Sequence, residues 1–378
     1  MHVAISAHFW ERSTTGSGQY LYRLVEAMRR QEPGLRLTLL ADAAAARRAV
    51  PSKDVAWEVL RTPFDSWNPN LAKLWFEQVA LPRAAATLDA DLLHVPYFAP
   101  PLRRTLPTIV TVHDLIPMIL PAYRGSALVR GYTSLVARAA RYSDHILADS
   151  DASRRDILRL LAVAPERVTT VYLAADDRFH PQPPDAVAAV QQKFNLPEHF
   201  ALYLGGFDTR KNVPLLLEAL ARSQEAWPLV IAGKLPQHHT PFTPDPRRLA
   251  SELGVERRVH FTGWIEEEEK APLLAAAALF VFPSRYEGFG LPILEAMACG
   301  TATLTTKVSS LPELAGAAAV LVPPDNAQAL QEAMDHLMTD EVERATWAAR
   351  GPTQAAHFSW ERCAIETLQI YRSVVEGA

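Results

Sequence analysis

The chain has 378 residues, and its 38 Lys and Arg residues nearly balance its 42 Asp and Glu residues, which gives a formal net charge of −4. About half of the residues are apolar (49%), and at roughly 150 residues per domain this length predicts two domains. The near-neutral charge argues against a nucleic-acid-binding protein. No apolar run approaches the roughly 18–20 residues that a membrane-spanning helix needs.

The cysteines and the first residues indicate a cellular location. Cys299 and Cys363 are the two cysteines, and they show neither a CxxC pairing nor the spacing of Cys/His metal ligands. Residues 1–10 contain neither the basic segment nor the long apolar run of a signal peptide. We therefore expect a reduced, cytoplasmic protein.

Charge is distributed unevenly along the chain. Residues 1–178 contain 22 Lys and Arg against 18 Asp and Glu, whereas the remainder contains 16 against 24. A basic surface attracts anionic partners and anionic membranes. The asymmetry therefore predicts peripheral contact of the first half with the inner face of a membrane.

Short apolar runs alternate with helical patterns along the first half. Tyr20, Leu24 and Met28 recur at helical spacing, as do Leu128 and Leu135. Strands that alternate with helices are typical of βαβ units, and buried parallel strands are short and continuously apolar. We predict parallel strands at 2–7, 37–41, 91–96, 108–114, 144–150 and 168–174.

The same alternation begins again after a proline-rich stretch at 176–184. The pattern predicts an α/β protein of two doubly wound, Rossmann-like domains at 1–178 and 179–355, with a helix at 356–378. Ligands of such sheets bind at the carboxyl ends of the strands. We expect the two domains to face each other across a cleft. The strands of the second half are predicted at 200–206, 227–233, 258–263, 279–284, 301–306 and 319–324.

The segment SRYEGFGLPILEAMACG (284–300) follows a predicted strand and opens a helix. Its glycines permit a tight loop near a ligand, and Pro292 suits the first turn of the helix. The free N–H groups of such a helix start favour an anion such as phosphate. Glu287 on the loop and Glu295 one turn into the helix can each bind a pair of sugar hydroxyls.

This segment resembles the E-x7-E motif of glycosyltransferase family four, whose members are retaining transferases with the two-domain GT-B fold. The resemblance extends over nearly the whole chain, and it implies that the helix at 356–378 crosses back to the first domain. It implies that Glu287 contacts the donor hexose and Glu295 the ribose. It also implies that the backbone of three intervening residues touches sugar and phosphate: Phe289, Gly290 and Leu291.

The segment LYLGGFDTRKN (202–212) ends a strand in two glycines, the second being Gly206. Arg210 and Lys211 then precede a helix, where the helix dipole disfavours cations unless an anion binds there. Fixed cations stabilise the charge of a leaving diphosphate. The pattern also resembles the G-x-x-x-x-R-K-N segment of the family.

Two features of the first half are predicted to contact substrate. Gly16 and Gly18 lie in a glycine-rich loop, STTGSGQY (13–20), which in the family faces the donor diphosphate or the acceptor. His113 ends a predicted strand, and family members carry a histidine there, near the donor sugar. Its neighbour Asp114 either caps the next segment or orients the imidazole.

Two loops of the second half follow strands. The resemblance places Lys234 and the backbone of Ile265 around the nucleotide base. The D-x-D sequence at 89–91 matches a metal motif of another transferase fold, but it precedes its strand instead of following it. We therefore interpret it as a connection and expect neither a metal nor a cofactor.

The resemblance implies transfer of a hexose from a nucleotide diphosphate sugar to a hydroxyl of a glycan or of a lipid-linked acceptor, without a nucleic-acid partner. GDP-mannose is the favoured donor, because VHDLIP together with EGFGLP resembles bacterial mannosyltransferases of surface-polysaccharide synthesis. Other GDP-, UDP- and dTDP-sugars remain open. So do a nucleotide-sugar epimerase or another GT-B enzyme, and a sugar-nucleotide-binding protein without turnover.

Overall fold

The computed structural model describes residues 1–10, 15–48 and 55–377. The chain forms two compact units, one of Met1–Leu173 with Ser359–Ala378 and the other of Ala174–Phe358. The first crossing between them lies just before the proline-rich stretch 176–184, a few residues earlier than the boundary at 178 expected from composition.

The first unit is built on a parallel sheet of seven strands in the order β3-β2-β1-β4-β5-β6-β7. Most of these strands are buried, as expected for strands covered on both faces. Their bounds are β1 His2–Ser6, β2 Arg36–Asp42, β3 Ala56–Leu60, β4 Leu92–Val95, β5 Thr108–Val112, β6 His145–Ala148 and β7 Val168–Thr170.

Helices connect these strands, together with a π-helical turn at Phe76–Ala80. Their apolar sides supply the core against the sheet; α1, for example, buries Tyr20, Leu24 and Met28. The helices are α1 Gly16–Gln31, α2 Ala43–Arg48, α3 Pro69–Trp75, α4 Leu81–Thr87, α5 Ile116–Ile119, α6 Ala127–Tyr142 and α7 Asp151–Leu161.

The second unit has a parallel sheet of six strands in the order β10-β9-β8-β11-β12-β13. The strands are β8 Ala201–Leu204, β9 Leu229–Ala232, β10 Val259–Gly263, β11 Leu279–Phe282, β12 Ala302–Thr306 and β13 Val320–Val322. The helices are α8 Pro184–Phe194, α9 Val213–Arg222, α10 Pro246–Glu252, α11 Glu267–Ala276, α12 Leu291–Ala298, α13 Leu311–Ala315, α14 Ala327–Thr339 and α15 Glu341–Ala355.

The last helix, α16 (Trp360–Glu376), belongs to the first unit. It packs along α1, and the Tyr371 hydroxyl lies 2.6 Å from Nδ1 of the buried His94 on β4. Burial lowers the pKa of His94 to about 3. The imidazole is therefore neutral, and this hydrogen bond attaches the end of the chain to the sheet.

Each sheet reverses its strand order once, between β1 and β4 in the first unit and between β8 and β11 in the second. Loops that leave the carboxyl ends of such neighbouring strands diverge and open a crevice, the usual ligand position in doubly wound sheets. The loops after β8 and β11 carry Arg210, Lys211 and Glu287, and those after β4 and β5 carry Tyr97 and His113. The topology therefore places the candidate residues of the second unit at its reversal point, whereas His113 of the first unit lies one strand beyond the reversal between β1 and β4.

Within the described ranges, no helix combines the length and the apolarity that crossing a lipid bilayer requires.

Candidate active site

The last residue of the loop from β11 to α12 has a backbone conformation that only glycine adopts without strain. Gly290 has φ +116°, and a Cβ atom there would lie 2.8 Å from Cδ2 of Leu311. L-residues disfavour positive φ, so a side chain would be both strained and crowded. The turn begins α12, whose first turn contains Pro292.

Glu287 lies on this loop and is held by three side chains. Its Oε1 accepts hydrogen bonds from Nζ of Lys211 at 2.7 Å and from Oγ of Ser284 at 2.7 Å. Its Oε2 lies 2.5 Å from Nη1 of Arg210. The two predicted cations and the first predicted glutamate thus form one cluster, although 76 positions of sequence separate Lys211 from Glu287.

Two consecutive serines fix the backbone of the same loop. The amide N–H of Glu287 donates to Oγ of Ser309 at 2.9 Å, and the hydroxyl of Ser310 donates to the carbonyl of Glu287 at 3.0 Å. The Ser310 hydroxyl also contacts the carbonyl of Phe289. The carboxylate is therefore positioned by both its main chain and its side chain.

Arg210 and Lys211 lie in a 3-10 turn between β8 and α9. Nε of Arg210 lies 3.2 Å from Oδ1 of Asp208, and Nζ of Lys211 lies 4.8 Å from the centre of the Phe282 ring. Lys211 is only 9% exposed, and lysines are rarely so buried unless they are paired, as this one is with Glu287. Its position is fixed before any ligand arrives.

The cluster combines two cations, Arg210 and Lys211, with two carboxylates. Burial alone would raise the pKa of Glu287, but Lys211 and Arg210 outweigh burial and hold that pKa below its usual value. Glu287 is therefore ionised near neutral pH, and it compensates one of the two cations beside it. Asp208 pairs with Arg210 as well, so the charges balance, and the cluster offers a phosphate two cationic hydrogen-bond donors at the carboxyl edge of the sheet.

Glu295 lies on α12 in a different environment. Its exposure is 7%, and none of the described residues donates a hydrogen bond to its carboxyl group. Burial raises its pKa to about 7, with a smaller opposing effect of Lys270. A buried carboxyl group without a partner is costly when ionised, so a ligand that donates hydrogen bonds to it would relieve that cost.

The other predicted donor contacts fall into two groups. Phe289 and Ile265 are buried, with Leu291 partly so. Gly206 and Lys234 are exposed, and the carbonyl of Gly206 accepts a hydrogen bond from the Tyr203 hydroxyl.

His113 follows β5 in the first unit, and both of its ring nitrogens have partners. Nδ1 lies 2.7 Å from Oδ2 of Asp149, and Nε2 lies 3.1 Å from the carbonyl oxygen of Pro96. A carbonyl oxygen can only accept, so Nε2 donates. Burial lowers the pKa of His113, but the Asp149 carboxylate outweighs burial and raises it above its usual value. Both ring nitrogens face oxygen acceptors, a carboxylate at Nδ1 and a carbonyl at Nε2, and this arrangement favours the imidazolium.

A cavity of about 280 Å³ opens beside His113 within the first unit. Its lining combines aromatic rings with a few polar groups, the usual composition of a small-molecule site. Lys73 is one of these polar groups, and its Nζ lies 4.9 Å from the centre of the Tyr132 ring. The aromatic residues of the lining are Phe9, Tyr97, Phe98 and Tyr132.

Comparison with known proteins identifies the family. Residues 188–354 match the family "Glycosyl transferases group 1", and residues 14–179 match "Glycosyltransferase Family 4". The O-antigen chain mannosyltransferase B of Escherichia coli is 33% identical over 287 residues, which cover 74% of this chain and 74% of that protein. The chain belongs to glycosyltransferase family four.

A second relative and a solved structure are consistent with that membership. The serotype-specific mannosyltransferase WbdA of Escherichia coli is 32% identical over 280 residues, which cover 72% of this chain but 34% of WbdA. A sucrose-phosphate synthase of Thermosynechococcus elongatus has the same fold, with a TM-score of 0.80, 21% identity and full coverage of both chains. This glycosyltransferase is therefore a hexosyltransferase with two GT-B-type α/β domains.

The glycine-rich segment of this glycosyltransferase differs from the prediction. Gly16 and Gly18 were expected in a loop, but both lie in the first turn of α1, where the amide of Gly18 donates to Oγ1 of Thr15 at 3.3 Å. Thr15 caps the helix, so the loop ends earlier than the glycines suggest. Ser13 and Thr14, the start of the predicted loop, lie outside the described residues.

Asp114 and the D-x-D sequence have local structural roles. Oδ1 of Asp114 accepts the amide of Ile116 at 2.9 Å at the start of α5, and Asp149 is the residue that orients His113. Oδ2 of Asp91 accepts the amide of His2 at 2.7 Å, at the amino end of β1. Asp114 therefore makes a local hydrogen bond to the backbone just before α5, whose N-cap residue is Leu115.

Several residues around the sites were not predicted. Asp149 follows β6, the neighbour of β5, so strand order would have placed it beside His113. Ser309 and Ser310 carry no motif that would have identified them.

Glu77 lies fully buried in the π-helical turn, where it accepts a hydrogen bond from the Tyr132 hydroxyl at 2.8 Å. Such turns are frequent at functional sites, but the sequence does not reveal them.

Proposed function

We propose that this glycosyltransferase moves mannose from GDP-mannose to a hydroxyl group of a glycan or lipid-linked acceptor, with retention of the anomeric configuration. The cluster of Glu287 with Lys211 and Arg210 is the observation that carries the proposal. It presents a hydrogen-bonding carboxylate for a sugar and two cationic hydrogen-bond donors for a diphosphate at one strand-order reversal. The two mannosyltransferase relatives support mannose as the sugar.

The proposed reaction needs no covalent attachment to the protein. The bond from the anomeric carbon to the β-phosphate oxygen breaks, and the acceptor oxygen forms its bond to that carbon on the same face. The acceptor hydroxyl transfers its proton to the leaving phosphate. Arg210 and Lys211 stabilise the charge that develops on the diphosphate, and Glu287 positions the sugar.

In this proposal Glu295 accepts hydrogen bonds from the two ribose hydroxyls. The assignment accounts for a buried carboxyl group that has no partner among the described residues and a pKa of about 7. The cavity beside His113 receives the acceptor sugar, because its aromatic rings provide apolar surfaces and its few polar groups can orient a hydroxyl.

A donor panel tests the proposed sugar. The protein is incubated with GDP-mannose, GDP-fucose, UDP-glucose or UDP-galactose and an α-mannoside acceptor, and the released nucleoside diphosphate is measured. We expect acceptor-dependent release from GDP-mannose alone. Faster release from a UDP-sugar would contradict the proposed donor, while release from no donor would contradict the proposed reaction.

Transfer should not require a divalent metal ion. Arg210 and Lys211 already provide the positive charge that a metal would bring to the diphosphate. Among the described residues, the acid and histidine group with metal-like spacing is His336, Asp340 and Glu343 at the junction of α14 and α15, outside both substrate-facing loops. Treatment with EDTA should leave the rate unchanged. Loss of activity that Mg²⁺ or Mn²⁺ restores would show that this expectation is wrong.

Replacing His113 by alanine should separate transfer from nucleotide binding. The proposed diphosphate and ribose contacts all belong to the second unit, so the affinity for GDP should stay within about twofold. Transfer should fall by about 10²-fold, the typical cost of a misplaced reacting group. Titration calorimetry and the transfer assay measure the two effects.

His145 provides a matched control for this variant. It begins β6 and its Nε2 lies 2.9 Å from Oγ1 of Thr169, away from the cavity lining. His145→Ala should transfer at nearly the normal rate. Equal losses of transfer in His113→Ala and His145→Ala would show that His113 only stabilises the fold.

A further inference from the structure

A long segment of the first unit carries positive charge without any compensating acid. Residues 115–143 contain no Asp or Glu, and they contain four arginines. The segment includes the whole of α6. The arginines are Arg124, Arg130, Arg138 and Arg141.

These four side chains line one groove of about 500 Å³, which we call the arginine groove. All four residues are exposed. None of them forms an ion pair with a carboxylate of the described residues, and the side-chain hydrogen bonds of Arg130 and Arg141 go to backbone carbonyls. The groove therefore presents four uncompensated guanidinium groups to solvent. Each guanidinium group can donate two parallel hydrogen bonds to the oxygens of one phosphate.

Apolar side chains project beside these arginines at the start of α6. Leu128 is 86% exposed and Val129 is 45% exposed, although the later part of the same helix buries Val136 and Ala140 in the core. An exposed leucine alone needs no explanation. Two neighbouring apolar residues flanked by unpaired arginines form the amphipathic surface that binds membrane interfaces.

The arginine groove is continuous with the cavity beside His113. Pro117 and Thr133 line both. A molecule held at the groove by its phosphates would therefore have its attached sugars next to the proposed acceptor cavity.

We propose that the arginine groove, with Leu128 and Val129, is the docking surface for an anionic phospholipid bilayer. The arginines contact lipid phosphates, and the two apolar side chains enter the interface. The inference rests on the proposed function in one respect: docking brings the acceptor cavity to a lipid-linked substrate. Binding to lipid requires no substrate and can be measured separately from transfer.

The chemistry of the surface favours a membrane over a protein partner. A protein interface of this size usually mixes apolar contacts with charges of both signs, whereas a bilayer offers phosphates of one sign above an apolar layer. The acid-free segment and the exposed leucine match the second description. A protein partner would be an alternative outcome in which vesicles are not bound.

Vesicle sedimentation tests the proposal with the full chain. Vesicles of phosphatidylcholine alone are compared with vesicles that also contain phosphatidylglycerol. We expect binding to the anionic vesicles that weakens as salt is raised, since ionic screening shortens the range of the attraction. Absence of binding, or equal binding to both kinds of vesicle, would overturn the proposal.

Two variants and two matched controls locate the surface. Arg124→Gln/Arg138→Gln should weaken binding by about 25-fold, from roughly fivefold for each basic residue, whereas the exposed pair Arg155→Gln/Arg257→Gln should bind normally. Leu128→Asp should weaken binding by about tenfold. The comparable change at the 79% exposed Val342, Val342→Asp, should not.

The same preparations are assayed for nucleotide release with a water-soluble acceptor. We expect all four to retain this activity, which would show that weakened lipid binding does not arise from misfolding. Normal vesicle binding by both groove variants would place the membrane contact elsewhere and overturn the assignment. Normal vesicle binding by the unmodified chain without any transfer would instead refute the proposed function and leave the docking surface standing.

Discussion

Replacing Lys211 by alanine should lower kcat by about 10²–10³-fold, the effect of removing one fixed group that stabilises transition-state charge. Lys211 is 9% exposed and its Nζ lies 2.7 Å from Glu287, so it is held in place before the donor binds. In the proposed reaction it stabilises the diphosphate as the sugar bond breaks. Steady-state rates with saturating GDP-mannose and acceptor measure the loss.

A double variant distinguishes catalysis from folding. Lys211→Ala leaves Glu287 with Arg210 as its one remaining cationic partner, and breaking a buried ion pair is destabilising. Lys211→Gln/Glu287→Gln removes both charges, so its melting temperature should recover while kcat stays low. A Lys211→Ala variant with near-normal kcat would show that the phosphates bind elsewhere.

Nucleotide affinity should depend on the protonation of Glu295. The proposed ribose contacts need the carboxylate, and burial raises the pKa of this group to about 7 in the free protein. GDP binding should therefore release a proton, and affinity should fall by about tenfold for each pH unit below 7 and level off above it. Titration calorimetry from pH 5 to pH 8 measures both effects.

Glu295→Gln is the control, because GDP itself titrates in the same range. The difference between the two proteins isolates the contribution of Glu295. The variant should bind GDP more weakly at pH 8 and should lose the part of the pH dependence that belongs to the protein. Identical pH profiles of affinity would separate Glu295 from the ribose.

The raised pKa of Glu295 has the opposite consequence for the stability of the fold. A buried acid with a raised pKa favours the folded state while it is protonated, so its contribution is present at low pH and is lost as the pH rises through 7. The shift of the Glu295 pKa from 4.5 to about 7 changes the free energy of unfolding by an amount on the order of 3 kcal/mol. Glu295→Gln should therefore be more stable than the unmodified protein at pH 8, although it binds nucleotide less well.

The repeated strands and the glycine turn before α12 were predictable because their signals are local. Continuous apolar runs mark buried parallel strands, and the loop around Gly290 carries its own turn and helix-start residues. Strand β3 was not predicted, since it lies at the sheet edge, is partly exposed and has no continuous apolar run. The pairing of Lys211 with Glu287 was not predictable in this way, because it depends on β8 and β11 being neighbours in the sheet.

The partners of the predicted residues were less accessible from the sequence. Asp149 was not predicted, because this partner of His113 follows the next strand of the sheet and is distant from His113 in the chain. Gly16 and Gly18 suggested a loop, but the cap at Thr15 lets them begin a helix. Composition indicates where a backbone can turn, whereas tertiary contacts decide whether it does.

The position of bound GDP in a crystal of the complex tests the central assignment most directly. We expect the β-phosphate oxygens within hydrogen-bond distance of Arg210 and Lys211, about 2.7–3.1 Å, with both ribose hydroxyls on the Glu295 carboxylate. Glu287 should then be free to face the sugar of the donor. GDP bound away from the loops after β8 and β11, or with its ribose away from Glu295, would contradict the account.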